Sequence, residues 1–339
     1  MVTIKEIAKE AGVSPSTVSR VISDDSRISE ETKKKVRKIM KEMDYHPNVI
    51  ARSLVSKATK TIGVIMPYST EKAFTNPFFP EVLRGIAKAA NSYGYFLLLS
   101  SGDTEKEQID SINSLVRGSR VDGVVITYSK ENDPIIEELK KMKVPFSMIG
   151  RPVKTENINY VDNDNVKAGY NAVKYLIDKG HRKIGLILGV LNLTVSADRY
   201  EGYKKALEEN NLVMDKEIII SNEFVQEGGY ESMKTILKSS QRPTAVMVTD
   251  DVMAFGAMRA VSELGYRIPK DISIISFNNT QPLCEFCIPP LTSTEINPYE
   301  LGFSATKILL EDIKGERKVG KEIIDTKIIY RESVCESHV

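Results

Sequence analysis

Residues 3–22 read Thr3-Ile4-Lys5-Glu6-Ile7-Ala8-Lys9-Glu10-Ala11-Gly12-Val13-Ser14-Pro15-Ser16-Thr17-Val18-Ser19-Arg20-Val21-Ile22. These are two helical patterns separated only by a turn at Gly12-Val13. In Thr3-Ile4-Lys5-Glu6 the hydroxyl can accept from the amide of Glu6 while the Glu6 carboxylate reaches back to the amide of Thr3, a capping box. Ser14 is a good N-cap, and Pro15 at the first helical position loses no hydrogen bond, because that amide has no intrahelical acceptor. Ile4, Ile7, Ala8 and Ala11 form one apolar stripe and Val18, Val21 and Ile22 another, so the two helices can bury them against each other. The pattern predicts helices over 3–11 and 14–22, with Pro15, Ser16, Thr17, Ser19 and Arg20 facing outward. Small hydrogen-bonding side chains and one Arg at the start of a short helix suit the major groove, where donor and acceptor pattern distinguishes bases. Taken alone, the pair also fits a helical hairpin capping a larger fold.

The next 40 residues favour the DNA-binding reading. Ser29-Glu30-Glu31 opens a third helix with an N-cap and an acidic first turn. Val36, Ile39, Met40 and Met43 supply its packing face, and Lys33, Lys34, Lys35, Arg37, Lys38 and Lys41 are expected on its outer face, within reach of phosphate. After the break Tyr45-His46-Pro47-Asn48 comes Val49-Ile50-Ala51-Arg52-Ser53-Leu54, one or two helical turns that are marginal alone in water and need a partner. The charge agrees: residues 1–60 hold 13 Lys and Arg against 8 Asp and Glu, and the remainder 34 against 38. A basic head on a slightly acidic body fits a protein that docks DNA through one end.

The 339 residues, 41% hydrophobic and 27% charged, are enough for two or three soluble domains. No apolar stretch is long enough to cross a bilayer and the N-terminus does not read as a signal peptide, so no membrane association and a cytoplasmic location are expected. Three Cys argue against a disulfide framework. Cys284-Glu285-Phe286-Cys287 and Cys335-Glu336-Ser337-His338 offer CxxC and CxxH, a possible zinc set. The pairs lie about 50 residues apart and the second is in a terminal tail, so reduced thiols are expected, with no metal and no other cofactor.

From Thr61 short apolar runs alternate with helical patterns. Strands are expected at 62–66, 95–100, 121–127, 146–149, 184–189, 217–221, 245–249 and 272–277. Their continuous Val/Ile/Leu runs imply strands covered on both faces, hence parallel sheets flanked by helices. A division near Tyr160 gives two similar α/β halves. Open α/β sheets bind ligands at the carboxyl ends of their strands, where this chain places Phe78, Phe79, Thr127, Asn163, Asp164, Arg199, Phe224, Asp250 and Asn278. Aromatic rings cover the apolar face of a pyranose, and Arg and Asp offer paired donors and acceptors to neighbouring hydroxyls. Plainer roles fit several of these: Phe78 or Phe79 as core, Asp250 or Asp251 as the cap of the next helix, and Arg199 paired with Asp198 or Glu201. An enzyme or a free solute-binding protein acting on a sugar would share the fold. The chain has no GxGxxG, GxxxxGK[ST] or GxSxG to support an enzyme, and the headpiece opposes a free binding protein.

Thr3-Ile4-Lys5-Glu6-Ile7-Ala8, Gly12-Val13-Ser14, Thr17-Val18-Ser19-Arg20-Val21-Ile22 and Tyr45-His46-Pro47-Asn48 through Leu54 resemble the headpiece and hinge of the LacI/GalR family of bacterial transcriptional repressors. The likeness continues in Asn76-Pro77-Phe78-Phe79, Val121-Asp122-Gly123, Gly180-His181-Arg182-Lys183-Ile184, Asp250-Asp251-Val252-Met253-Ala254 and Pro290-Leu291-Thr292. The resemblance implies a homodimer on double-stranded operator DNA. It implies DNA contacts from Thr3, Ser14, Pro15, Ser16, Thr17, Ser19, Arg20, Asn48, Ala51 and Arg52, with Leu54 wedging into the minor groove. It also implies a headpiece over 1–46, a hinge over 47–60 and a two-lobed, periplasmic-binding-protein-like core over 61–339. Lobe 1 is expected at 61–161 and 293–321, lobe 2 at 162–292 and 322–334. Phe78, Phe79, Arg199, Phe224, Asp250 and Asn278 fall at positions that commonly touch effector, although the family more often has Asp where Asn278 stands. Through 160–165 and 276–279 the chain is similar to maltose-operon repressors of Gram-positive bacteria, which implies maltose or a maltodextrin as effector. No Leu-heptad extension follows Val334, so a dimer is expected rather than a tetramer.

Overall fold

The computed structural model describes residues 2–45, 58–67, 70–102, 104–153, 157–316 and 319–337. The chain divides into two compact units, Met1–Thr59 and Lys60–Val339.

The first unit is built on three helices, α1 (Ile4–Ala11), α2 (Pro15–Ile22) and α3 (Glu30–Glu42). The capping box at Thr3 and Glu6 forms, with the Thr3 amide 2.7 Å from Glu6 Oε2 and the Glu6 amide 3.4 Å from Thr3 Oγ1. Gly12 ends α1 at φ 64°, a left-handed turn that a side chain would strain. Ile7, Ala8, Ala11, Val18, Val21 and Val36 are buried together, with Ile4, Ile22, Ile39, Met40 and Met43 packed around them. The apolar stripes therefore meet as their spacing requires.

The second unit contains two sheets. The first comprises β1 (Thr61–Ile65), β2 (Phe96–Ser100), β3 (Gly123–Ile126), β4 (Phe146–Ile149), β5 (Asn159–Asn163) and a late strand, β11 (Lys321–Ile324). Its order is β11-β5-β4-β3-β1-β2 and all its pairs are parallel. The second comprises β6 (Ile184–Leu188), β7 (Ile219–Ser221), β8 (Ala245–Val248), β9 (Ser273–Asn278), β10 (Thr292–Glu295) and β12 (Lys327–Ile329). Its order is β12-β10-β9-β8-β6-β7, parallel except at β12. Residues 217 and 218, expected to begin a strand, belong to a 3-10 turn over Lys216–Ile218, which shortens β7 to three residues.

The lobe boundaries differ from those read in the sequence. β5 pairs with β4 in register Met148 to Tyr160, so the first crossing follows Asn163 rather than Val161. β10 pairs with β9, which puts residues 293–295 in the second lobe. The helix Pro298–Ile313 then packs on the helix Phe78–Ser92 of the first lobe. β11 pairs with β5, so residues 322–324 belong to the first lobe and the last crossing lies between β11 and β12. These late strands are short and mixed in polarity, and only their pairing partners assign them. Asn163 ties all three crossings together, because its Nδ2 lies 3.1 Å from Ile296 O and 2.9 Å from Ile324 O.

Candidate functional site

In the headpiece, the expected reading helix is exposed at Pro15, Ser16, Ser19 and Arg20 and half-exposed at Thr17. Ser14 Oγ accepts from the Thr17 amide at 3.1 Å, and the hydroxyls of Ser16 and Thr17 lie 2.7 and 2.9 Å from it. Ser14 is thus the cap that orders its neighbours, while Ser19 and Arg20 project from the helix surface. Thr3 spends its hydroxyl on Glu6 at 2.9 Å. Asn48, Ala51, Arg52 and Leu54 lie outside the described residues.

One headpiece expectation is corrected. Lys33 is not on the outer face: it is 5% exposed, and its Nζ lies 3.1 Å from both Asp24 Oδ1 and Glu30 Oε1. The helix register turns position 33 inward beside Val36, so its ammonium finds carboxylates instead of phosphate, and these hold its pKa above the usual lysine value. Arg37 also pairs with Asp24, at 2.5 Å. Lys34, Lys35, Lys38 and Lys41 remain exposed.

In the larger unit, the carboxyl ends of both sheets enclose a cavity of about 200 Å³. Phe78, Phe79, Thr127, Asn163, Arg199, Phe224, Asp250 and Asn278 all line it, and Asp164 does not. Asp164 is exposed and caps the helix Asn165–Asp178, accepting from the Lys167 amide at 2.9 Å. Its place one residue beyond the end of β5 turns it away from the cleft. The sequence reading missed Asn76, Ser129, Asp162, Asn165, Thr194 and Glu223, which also line the cavity. Asn76 lay in the Asn-Pro-Phe-Phe run and Asp162 and Asn165 in the polar run closing β5, so the signal was present.

Three phenylalanines and Tyr128 supply the aromatic surface of the cavity. The Phe78 and Phe79 rings meet edge to face at 5.1 Å; Phe78 packs against the cores of both lobes, whereas Phe79 belongs to that of the first. Phe224 lies against Gly189, where a Cβ would sit 2.0 Å from the ring.

Arg199 is 3% exposed. It comes from the helix Thr194–Glu209, and this helix approaches Asn165–Asp178 so closely that a Cβ on Gly202 would lie 2.1 Å from Val166 O. This contact sets Arg199 Nε 3.1 Å from Asn165 Oδ1 and Nη1 2.6 Å from Thr249 O, with the guanidinium 4.3 Å from the Phe277 centroid. Burial lowers its pKa to about 10, opposed by Asp250, Asp162, Asp251 and Asp198. Neither carboxylate considered from the sequence pairs with it: Asp198 binds Arg151 and Glu201 binds Lys204. Its Nη2 donates to no hydrogen-bond acceptor among the described residues.

Asp250 caps the helix Asp251–Glu263, accepting from the Val252 and Met253 amides at 2.8 and 3.4 Å through Oδ1. Oδ2 accepts from Asn76 at 3.0 Å and Asn278 at 2.8 Å. Four donors fill a carboxylate, so Asp250 positions two amides around the cavity rather than offering a free acceptor to a ligand. Desolvation raises its pKa to about 6, as it does for Asp162. Asn278 sits at φ 105°, a strained backbone for a residue other than glycine, held by its bond to Asp250. Thr127 spends its hydroxyl on Ile65 O at 2.9 Å.

Among the described residues no three His, Cys, Asp or Glu side chains gather as metal ligands; His338 lies outside them. Nor is any helix there long and apolar enough to cross a membrane.

A capped three-helix DNA-binding head joined to a two-lobed α/β body with a cavity between its sheets defines a ligand-responsive transcriptional regulator. Residues 3–48 match the model of bacterial regulatory proteins of the lacI family, and residues 173–334 match a periplasmic binding protein-like domain. The chain is 39% identical over 329 residues to the HTH-type transcriptional regulator MalR of Streptococcus pneumoniae, covering 97% of both chains. A lac repressor dimer bound to operator and the anti-inducer ONPF superposes with a TM-score of 0.87 at 27% identity, over 98% of this chain and 99% of that one. The transcriptional regulator CelR in complex with cellobiose superposes with a TM-score of 0.77 at 28% identity, over 98% and 100%. The chain belongs to the lacI family of bacterial regulatory proteins, which are DNA-binding transcriptional regulators with an effector domain and not enzymes.

Proposed function

We propose that this regulator is a homodimeric repressor whose operator affinity is set by a sugar, with maltose or a short maltodextrin as the effector. The observation that carries the reading is the pairing, in one cavity, of three phenylalanine rings with the buried guanidinium of Arg199 and the oriented amides of Asn76 and Asn278. Rings cover the apolar face of a pyranose, while charged and amide groups match adjacent hydroxyls. The CelR complex with cellobiose, and a structural neighbour described as a probable maltose operon transcriptional repressor, support a glycosidic ligand.

Two headpieces on one dimer present two copies of α2 to a pseudo-palindromic operator. Effector binding changes how the lobes close, and by linkage effector and operator change each other's affinity by the same factor. Asn48, Ala51, Arg52 and Leu54 form the hinge contact, with Leu54 as the apolar wedge that unstacks a base step. The protein acts where the chromosome is, in the cytoplasm. Calorimetry with glucose, maltose, maltotriose and cellobiose, paired with an operator shift assay, tests the reading. Saturable binding of a saccharide that also changes operator affinity is expected; an operator response to no sugar would overturn it.

A further inference from the structure

The charged groups around the cavity are unequal in sign. Asp162, Glu223 and Asp250 line it against the single guanidinium of Arg199, and Arg199 is itself faced by the carboxylates of Asp250, Asp162, Asp251 and Asp198. The neighbouring Arg151 is spent on Asp198, with its Nε 2.9 Å from Oδ2. Helix N-termini can add positive potential, and five helices begin on the cavity. Four of them carry acids in or beside the first turn: Glu81 in Phe78–Ser92, Asp164 ahead of Asn165–Asp178, Glu227 in Gln226–Lys238, and Asp250 with Asp251 at the start of Asp251–Glu263. The fifth, Thr194–Glu209, has none in its first turn. One unopposed terminus is worth about half a positive charge, so the lining stays net negative.

We infer that the cavity selects an uncharged saccharide over its phosphorylated form. The inference rests on the sugar reading above and adds the charge class of the ligand. A phosphomonoester brings roughly −1.5 to −2 charge near neutral pH and is held by clustered cations or unopposed backbone amides. Here it would find one guanidinium that four carboxylates already compensate. A sugar hydroxyl asks only for a donor and an acceptor, and Arg199 Nη2 is a donor of that kind. The selection does not require a closed cavity. Asp162 and Asp250 are buried and oppose an anion inside, while Glu223, the charged lining residue that is exposed, opposes one on the solvent side.

Calorimetry of the full-length protein against three pairs tests it: glucose and glucose 6-phosphate, maltose and maltose 6′-phosphate, cellobiose and cellobiose 6′-phosphate. The assay is run at pH 8, where Asp162 and Asp250, raised to about 6, are ionised. In every pair that binds, the neutral member is expected to bind tighter by about tenfold or more. Glu223→Lys should narrow that ratio, and so should raising the salt from about 0.05 to 0.5 M in the parent, because an exposed charge is screened. A ratio set by the bulk of the phosphate responds to neither. Glu223 is exposed, so the variant should fold, which a melting curve checks, and the salt series needs no variant at all. A ratio below tenfold overturns the inference, as does one that neither the substitution nor salt changes. A ratio that responds to salt and not to Glu223→Lys keeps the charge rule and overturns the part given to Glu223. Failure of the parent to bind any saccharide, neutral or phosphorylated, overturns the sugar reading and the charge rule together.

Discussion

Asn76 and Asp250 meet across the cleft, Nδ2 to Oδ2 at 3.0 Å, although 174 residues separate them in the chain. Asn76 belongs to the first lobe and Asp250 follows β8 in the second, so their bond exists only when the lobes are closed on each other. The same Asn76 accepts from the Phe78 amide at 3.0 Å. The closed contact and the placement of an aromatic wall are thereby the work of one side chain. Asn76→Ala is expected to weaken effector binding by about 1.5–3 kcal/mol, the range for a hydrogen bond to a charged group. Calorimetry against the best-binding sugar checks it, and unchanged affinity would separate Asn76 from ligand closure.

The pH dependence follows from Asp250 and Asp162, each raised to about 6 by burial from an ordinary 3.8. A carboxyl that holds its proton more tightly when folded contributes stability that is full below 3.8 and is lost as the pH rises through about 6. From these two groups the body should become more resistant to urea as pH falls from 7 to 5. Effector affinity should move oppositely, because protonated Asp250 cannot accept from Asn76 and Asn278 together. Denaturation and calorimetry at both pH values, in the parent and Asp250→Asn, read the two trends; parallel trends in the parent would refute the assignment.

Arg199→Ala removes a donor from the cavity and also leaves Thr249 O and Asn165 Oδ1 without a partner. Effector affinity is expected to fall by about 1.5–3 kcal/mol and folding stability by roughly 1–3 kcal/mol. Both losses are required, since a solvated surface arginine would produce neither.

Asn163→Ala should loosen the three crossings at once, by freeing Ile296 O and Ile324 O. The expected cost is about 1–3 kcal/mol of stability for buried acceptors left unmade. The coupling between effector and operator should shrink even where each is still bound, which an operator titration with and without sugar measures.

Lys33 and Lys34 should behave differently despite being neighbours. Lys33→Ala is expected to lower the melting temperature of the headpiece and to weaken all DNA binding alike, because it removes a buried cation from Asp24 and Glu30. Lys34→Ala should leave melting unchanged and reduce the salt dependence of operator binding by about one unit if it touches phosphate. Headpiece melting that is indifferent to Lys33 would return that residue to the solvated face.

Arg20→Ala is expected to relax base preference at one position of each half-site, at about 1–3 kcal/mol for a lost base contact. Binding-site selection with parent and variant compares the consensus sequences directly, and identical ones would count against α2 as the reading helix.

The headpiece was legible because its determinants are local: a capping box spans three residues, a Ser-Pro start spans two, and a helical apolar stripe repeats within one turn. The strands β1 through β9 were largely legible for a similar reason, since a buried parallel strand is written as a continuous aliphatic run, although β5 was not recognised as a separate strand. Strand ends then pointed to most of the cavity, including Arg199, Phe224 and Asn278. What escaped depended on which partners folding brings together, some near in sequence and some far. β10 and β11 are too short and mixed to announce a lobe, and only hydrogen bonding to β9 and β5 assigns them. Lys33 could not be distinguished from five other cations on its helix until Asp24 and Glu30 came up against it. Asp250 looked like a ligand group until packing filled all four of its acceptor positions. A sequence records which groups each residue carries and the local periodicity that places them on a face. Which donor meets which acceptor across 100 residues or more is decided when two sheets, each stabilised by its own buried surface, close against one another.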